Sequence, residues 1–148
     1  MKILPVRGQE IRRVLMVLLI PLFVLFLGNT LAAMEMRDIS QDDLLKGIQS
    51  KTIALVLDVR TIREFNQGHV SGAINIPYSK LRGRLNEIIA YRGKQIVVYC
   101  RSGRRAGIAT AILRNSGFYK LLHLKGDMIG WLRNNRPLEK QELSLATH

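Results

Sequence analysis

The sequence predicts an α/β fold: a mostly parallel five-stranded sheet with helices on both faces. Short apolar segments of strand length alternate with segments of helical spacing between residues 36 and 137, the order that produces crossover connections. Two of the apolar segments, Ile53–Leu57 and Ile96–Tyr99, are continuous, as in strands covered on both faces. Pro77, Gly93, Gly117 and Gly126 punctuate the pattern where strands or helices should stop. With 148 residues, of which 47% are apolar, the chain accommodates one ordinary domain behind its first thirty-odd residues.

Those first residues read separately. Lys2, Arg7, Arg12 and Arg13 against a single acid, Glu10, precede fourteen uncharged residues, Val14 to Leu27, which is the layout of an export signal. Small residues at Ala32 and Ala33 suit cleavage there. The rival is an uncleaved anchor, because the uncharged stretch from Val14 to Met34 would span a bilayer at ~1.5 Å per residue, although Pro21, Gly28 and Asn29 weaken it. The division expected is therefore a signal peptide or membrane anchor at 1–33 and a folded domain at 34–148. Either version keeps the N-terminus cytoplasmic, so the domain is expected to be periplasmic, free or anchored to the inner membrane.

In the domain, Met36–Ile39 suits a short first strand, and Ser40-Gln41-Asp42-Asp43 resembles a capping box opening a helix that stops at Gly47. Ile53–Leu57 is the second strand, ended by Asp58. Thr61 and Glu64 have the spacing of another capping box. Gly68 turns the chain toward a strand at Ala73–Ile76, halted by Pro77. Leu81, Leu85, Ile88 and Ile89 recur at helical spacing, which predicts a helix over Tyr78–Ala90 closed by Gly93. Ile96–Tyr99 is the central strand. Ala106, Ala109, Ile112 and Leu113 place a helix over Arg104–Ser116 with Gly117 at its C-cap. Leu121–Leu124 is the fifth strand, and a short helix over Asp127–Asn134 carries Trp131.

Charge and cysteine count exclude several classes. The net charge is +12, and +9 without residues 1–33, yet no block of five like charges occurs, which argues against a nucleic-acid-binding tail. One cysteine forbids an internal disulfide, and one cysteine with three histidines gives no metal-ligand spacing. An exported cationic domain suits anionic small molecules, membrane headgroups or acidic partners, with most of the basic residues read as a solvated surface; stable membrane association is expected only if the leader stays uncleaved.

Cys100 closes the central strand and opens the turn Cys100-Arg101-Ser102-Gly103-Arg104-Arg105-Ala106, which runs into a helix. A turn of this kind aims several backbone N–H groups at one point and favours a thiolate there, with three arginines adding charge. In open α/β sheets the ligand crevice lies beyond the carboxyl ends of the strands, where both Asp58 and Cys100 fall.

Leu57-Asp58-Val59-Arg60, Glu64-Phe65, Gly68 through Pro77, and Val98-Tyr99-Cys100-Arg101-Ser102-Gly103 together resemble the rhodanese family of sulfurtransferases, over about Met36 to Pro137. With an export signal and one domain, the layout resembles the small exported bacterial members. The resemblance implies a rhodanese-like fold and a double displacement in which Cys100 takes a sulfane sulfur from a small anionic donor such as thiosulfate and passes it to cyanide or a thiol. No cofactor and no metal are implied. Arg101, Arg104 and Arg105 would dock the donor, with Ser102 and Gly103 as backbone cradle; Asp58, Arg60 and His69 would support the loops. His123 and Trp131 read as core or rim packing. The sequence departs from the family pattern at Asp127, where a second glycine is common, and at Asn134-Asn135, which puts local turn geometry in question. Two other functions compete. A cysteine phosphatase would need arginine six positions after the cysteine, where Ala106 stands, and a persulfide relay or protein-binding module would keep the loop without turnover.

Overall fold

The two continuous apolar runs form the centre of the sheet in the computed structural model, which describes residues 36–140. The leader and its cleavage site lie outside these residues. The strands are β1 (Arg37–Ile39), β2 (Leu55–Asp58), β3 (Ile74–Asn75), β4 (Ile96–Tyr99) and β5 (Leu121–Leu124). They pair in the order β1-β5-β4-β2-β3, every pair parallel. The helices are α1 (Gln41–Gln49), α2 (Ile62–Asn66), α3 (Arg104–Asn115) and α4 (Asp127–Arg133). The expected class is the one found.

All eight residues of β2 and β4 are buried, and their alternation sorts them into two layers. Leu55, Leu57, Ile96, Val98 and Cys100 share one layer with Ala106, Ala109 and Leu113 of α3. Val56, Val97 and Tyr99 face the other, with Leu44 of α1, Phe65 of α2 and Trp131 of α4. Burying each large aliphatic chain contributes ~1.5–3 kcal/mol relative to exposure, so these two strands anchor both halves of the core. The sulfur of Cys100 thus belongs, by parity along β4, to the α3 side.

Local chemistry sets the helix starts. Ser40 Oγ accepts the Asp43 N–H at 3.1 Å, and at Thr61 both halves of the capping box are made. Helix α3 begins at Gly103, whose φ of +98° suits a residue without a β-carbon.

Several expected boundaries move. The second strand is Leu55–Asp58, starting two residues later than expected and including Asp58. Helix α1 runs past Gly47 to Gln49; Gly47 is needed for close approach, since a β-carbon there would lie 2.6 Å from Ile53 Cγ1. The third strand shortens to Ile74–Asn75. The helix over Tyr78–Ala90 is instead two 3₁₀ segments, Leu81–Gly83 and Leu85–Tyr91, separated by Arg84 at φ −118°. They close with i to i+3 bonds such as Arg84 N–H to Leu81 O at 3.0 Å. Leu81 and Ile88 are still buried, but Ile89 is 44% exposed. Among the described residues no helix is long and apolar enough to cross a membrane.

Gly47→Ala tests the close approach. Helix propensity alone favours alanine, but overpacking against Ile53 should outweigh it and cost about 1–2 kcal/mol in urea denaturation.

Candidate active site

Strand β4 delivers Cys100 to the carboxyl edge of the sheet, and helix α3 starts three residues later. In between, the Gly103 N–H donates to Cys100 Sγ at 3.1 Å. Gly103 has no side chain with which to cap α3, so the sulfur occupies the place of a capping acceptor at the positive end of a twelve-residue helix. The residue is 1% exposed. Above it Arg101, Ser102 and Arg104 are exposed, and Arg105 is half-buried.

The three loop arginines are not equivalent. The Arg105 guanidinium makes a two-pronged ion pair with Glu64 at 2.7 and 2.8 Å, geometry that fixes it more firmly than a single contact would. Its partner is in turn held by the Thr61 N–H at 3.1 Å and the Thr61 hydroxyl at 2.9 Å. Arg105 holds the Glu64 carboxyl down at about 2, with the Thr61 donors adding to the effect. The hydrogen bond from Arg105 to Glu64, with a smaller contribution from the charge of Cys100, raises the guanidinium. The start of α2 is thereby locked to the start of α3 beside the sulfur. Arg101 and Arg104 remain on the exposed rim.

Asp58, Arg60 and His69 come together on the opposite side of β4. Asp58 is wholly buried and takes the Arg60 guanidinium at 2.6–3.1 Å. It also accepts the Arg60 N–H at 2.8 Å. The same guanidinium donates to Gly68 O at 2.9 Å and lies 5.7 Å from the Tyr99 ring centroid. Burial works against its charge, but Asp58 more than offsets this and raises it. Tyr99 Oη accepts the Val70 N–H at 3.1 Å, and burial pushes the phenol up. His69 stacks on Phe65 with centroids 3.6 Å apart, and its Nδ1 lies 3.0 Å from Phe65 O. Its backbone pairs with Glu139 as an antiparallel bridge. These contacts brace the Gly68–Val70 loop and do not reach the sulfur.

A third cluster lies under the loop, and sequence reasoning missed it. Asp127 Oδ1 accepts the Cys100 N–H at 2.8 Å, while its Oδ2 lies 2.9 Å from His123 Nε2. The other imidazole nitrogen, Nδ1, lies 3.1 Å from Asp38 Oδ1. His123 is therefore an ion-pairing residue and not mere packing. The four-residue step from His123 to Asp127 was visible in the chain, but Asp38 joins only through the pairing of β1 with β5, which sets it opposite His123.

At the position where a phosphate-binding loop would need arginine stands Ala106, fully buried against the sheet, so the arrangement lacks that anion clamp. The site presents an enclosed sulfur with a backbone donor and an exposed cationic rim, an arrangement that suits nucleophilic sulfur chemistry.

Comparison with known proteins gives the same direction. The sequence profile of the Rhodanese-like domain matches residues 40–134. A sulfurtransferase of Allochromatium vinosum is 31% identical over 105 residues, covering 71% of this chain and 96% of that protein. A tRNA uridine(34) hydroxylase of Cronobacter sakazakii is 34% identical over 87 residues, which span 56% of this chain but only 25% of the hydroxylase. Among solved structures, a rhodanese-related protein from Thermoplasma volcanium aligns with a TM-score of 0.61 and 31% identity, over 70% of this chain and 97% of that one.

The Glu64–Arg105 pair gives a pH-dependent expectation. Because the folded-state value of Glu64 lies below its usual 4.5, its contribution is complete above that pH and is lost as pH falls toward about 2. Glu64→Gln should cost about 1 kcal/mol or less near neutrality. In urea titrations the gap from wild type should narrow with acidification below 4.5.

Proposed function

The chain belongs to the Rhodanese-like domain family, whose members at this level of similarity include sulfurtransferases, and from that premise we propose that it is a thiosulfate sulfurtransferase working through Cys100. The Cys100 thiolate attacks the outer sulfur of thiosulfate. The bond from that sulfur to the sulfonate group breaks, and sulfite leaves with the electron pair. Cys100 is left as a persulfide anion. In the second half, cyanide or a thiolate attacks the terminal sulfur, the persulfide S–S bond breaks, and the Cys100 thiolate returns. Atoms and electrons balance without a cofactor.

The observation that carries the reading is the Gly103 N–H on Cys100 Sγ at the start of α3. A backbone donor in that place favours the anionic sulfur before and after transfer. Arg101 and Arg104 are the arginines left to meet the donor, whereas Arg105 is engaged with Glu64. Ser102 and Gly103 complete the loop around the sulfur. The basic and apolar character of residues 1–33 supports export, with the domain on the periplasmic side, free or anchored to the inner membrane. A persulfide relay would use the same Cys100 adduct and differ only in turning over slowly.

Treatment with thiosulfate should add about 32 Da to the intact mass. Cyanide should remove the increment and yield thiocyanate catalytically; Cys100→Ser should show neither. A stable adduct with negligible turnover would favour the relay, and no adduct would overturn both. Arg101→Ala combined with Arg104→Ala should raise KM for thiosulfate several-fold with a smaller change in kcat, as expected for loss of donor binding.

A further inference from the structure

Asp127 adopts φ +50°, in the left-handed region where a side chain is unfavourable, and it follows Gly126, which is left-handed as well. A glycine would sit there without strain. What the carboxylate gains is contact: it is 3% exposed, holds the Cys100 N–H with one oxygen and faces His123 with the other. A β-carbon on Gly103, the donor to the sulfur, would lie 3.3 Å from Asp127 Oδ2 and 3.7 Å from His123 Nε2. The carboxylate and imidazole therefore form the floor of the loop.

Both ring nitrogens of His123 face carboxylates, at 2.9 and 3.1 Å. An imidazole satisfies two such acceptors only when each nitrogen carries a proton. We propose that Asp127 and His123 are positioning residues for Cys100, setting the charge beneath its loop through the Asp38–His123–Asp127 chain so that the reactivity of the sulfur follows the protonation of His123. With the imidazole charged, the negative charge of Asp127 is balanced. With it neutral, an uncompensated carboxylate sits on the Cys100 N–H and opposes the anion of the same residue's sulfur. Asp127, and secondarily Asp38, raises His123 above its usual value against the cost of burial, which keeps the balanced form in place toward neutrality.

The charged groups around this unit come from five elements. Asp38 lies on β1, His123 on β5, Asp127 on α4, and Arg105 on α3 faces Cys100 while paired to Glu64 of α2. Arg101 and Arg104 are exposed in the loop itself. Arg105 is fixed in charge, so among the groups contacting the sulfur's support His123 is the one whose charge changes near neutrality.

The inference rests on the proposed function only in taking Cys100 as the reacting atom. Its test needs no sulfur donor: the rate of Cys100 alkylation by iodoacetamide, followed by intact mass as a function of pH in the full-length protein. His123→Asn leaves Asp127 unbalanced and should slow alkylation at neutral pH at least threefold, moving the profile up by about half a pH unit or more. Asp127→Asn keeps an oxygen for the Cys100 N–H but removes the charge, and should leave the rate unchanged or raise it. The double variant should return to within about twofold of wild type. Asp38→Asn, at a half-exposed edge position, should shift the profile as His123→Asn does but less, and decides the matter if the buried variants fail to fold. Losses that accumulate from single to double variant, or profiles that do not move, would overturn the proposal. Absence of a thiosulfate adduct with these shifts intact would overturn the proposed function and leave this inference standing.

Discussion

The exchange of β4 for α3 within three residues is the constraint on which the site depends. A strand that ends at Cys100 and a helix that starts at Gly103 bring a main-chain donor back onto the sulfur at 3.1 Å. That return requires a residue at φ +98°, a conformation costly for any side chain. At the β-carbon position of Gly103 the nearest groups beneath the loop are the Asp127 carboxylate and the His123 ring. Packing of Ala106 and Ala109 against β2 and β4 holds α3 close enough to the sheet for the geometry to persist.

Polar support is divided by face. On the α2 side, Asp58 and Arg60 make a buried pair whose hydrogen bonds leave little unsatisfied, which is the condition under which a buried ion pair is tolerated. Their role is architectural, because they hold Gly68 and stack near Tyr99 without approaching the sulfur. Glu64 and Arg105 connect this side to the loop. On the β5 side the Asp38–His123–Asp127 chain reaches the Cys100 backbone directly. Charge that is permanent is thus kept beside the sulfur by Arg105, whereas charge that varies lies below it.

How much of this could be read from the chain depended on range. The continuous runs at β2 and β4, the capping box at Thr61 and Glu64, and the glycine after α3 are local signals, and each produced the element expected. The loop from Cys100 was legible because strand, turn and helix are consecutive. The helix over Tyr78–Ala90 failed for a physical reason: spacing of apolar residues does not distinguish a four-residue ladder from two shorter three-residue turns interrupted at Arg84. Asp127 was visible as an oddity in its turn, but its partner under the loop was not. Asp38 and His123 are 85 residues apart and meet only because the first strand lies beside the last.

The two-layer arrangement of β4 makes the location of the thiol a matter of odd and even. Ile96, Val98 and Cys100 point one way, Val97 and Tyr99 the other. Deleting any one residue between Gln95 and Tyr99 would transpose Cys100 into the Trp131 layer and send a phenol toward α3, even if the sheet re-formed around the shorter strand. A change in the length of this strand keeps the sulfur on the α3 side only in steps of two residues.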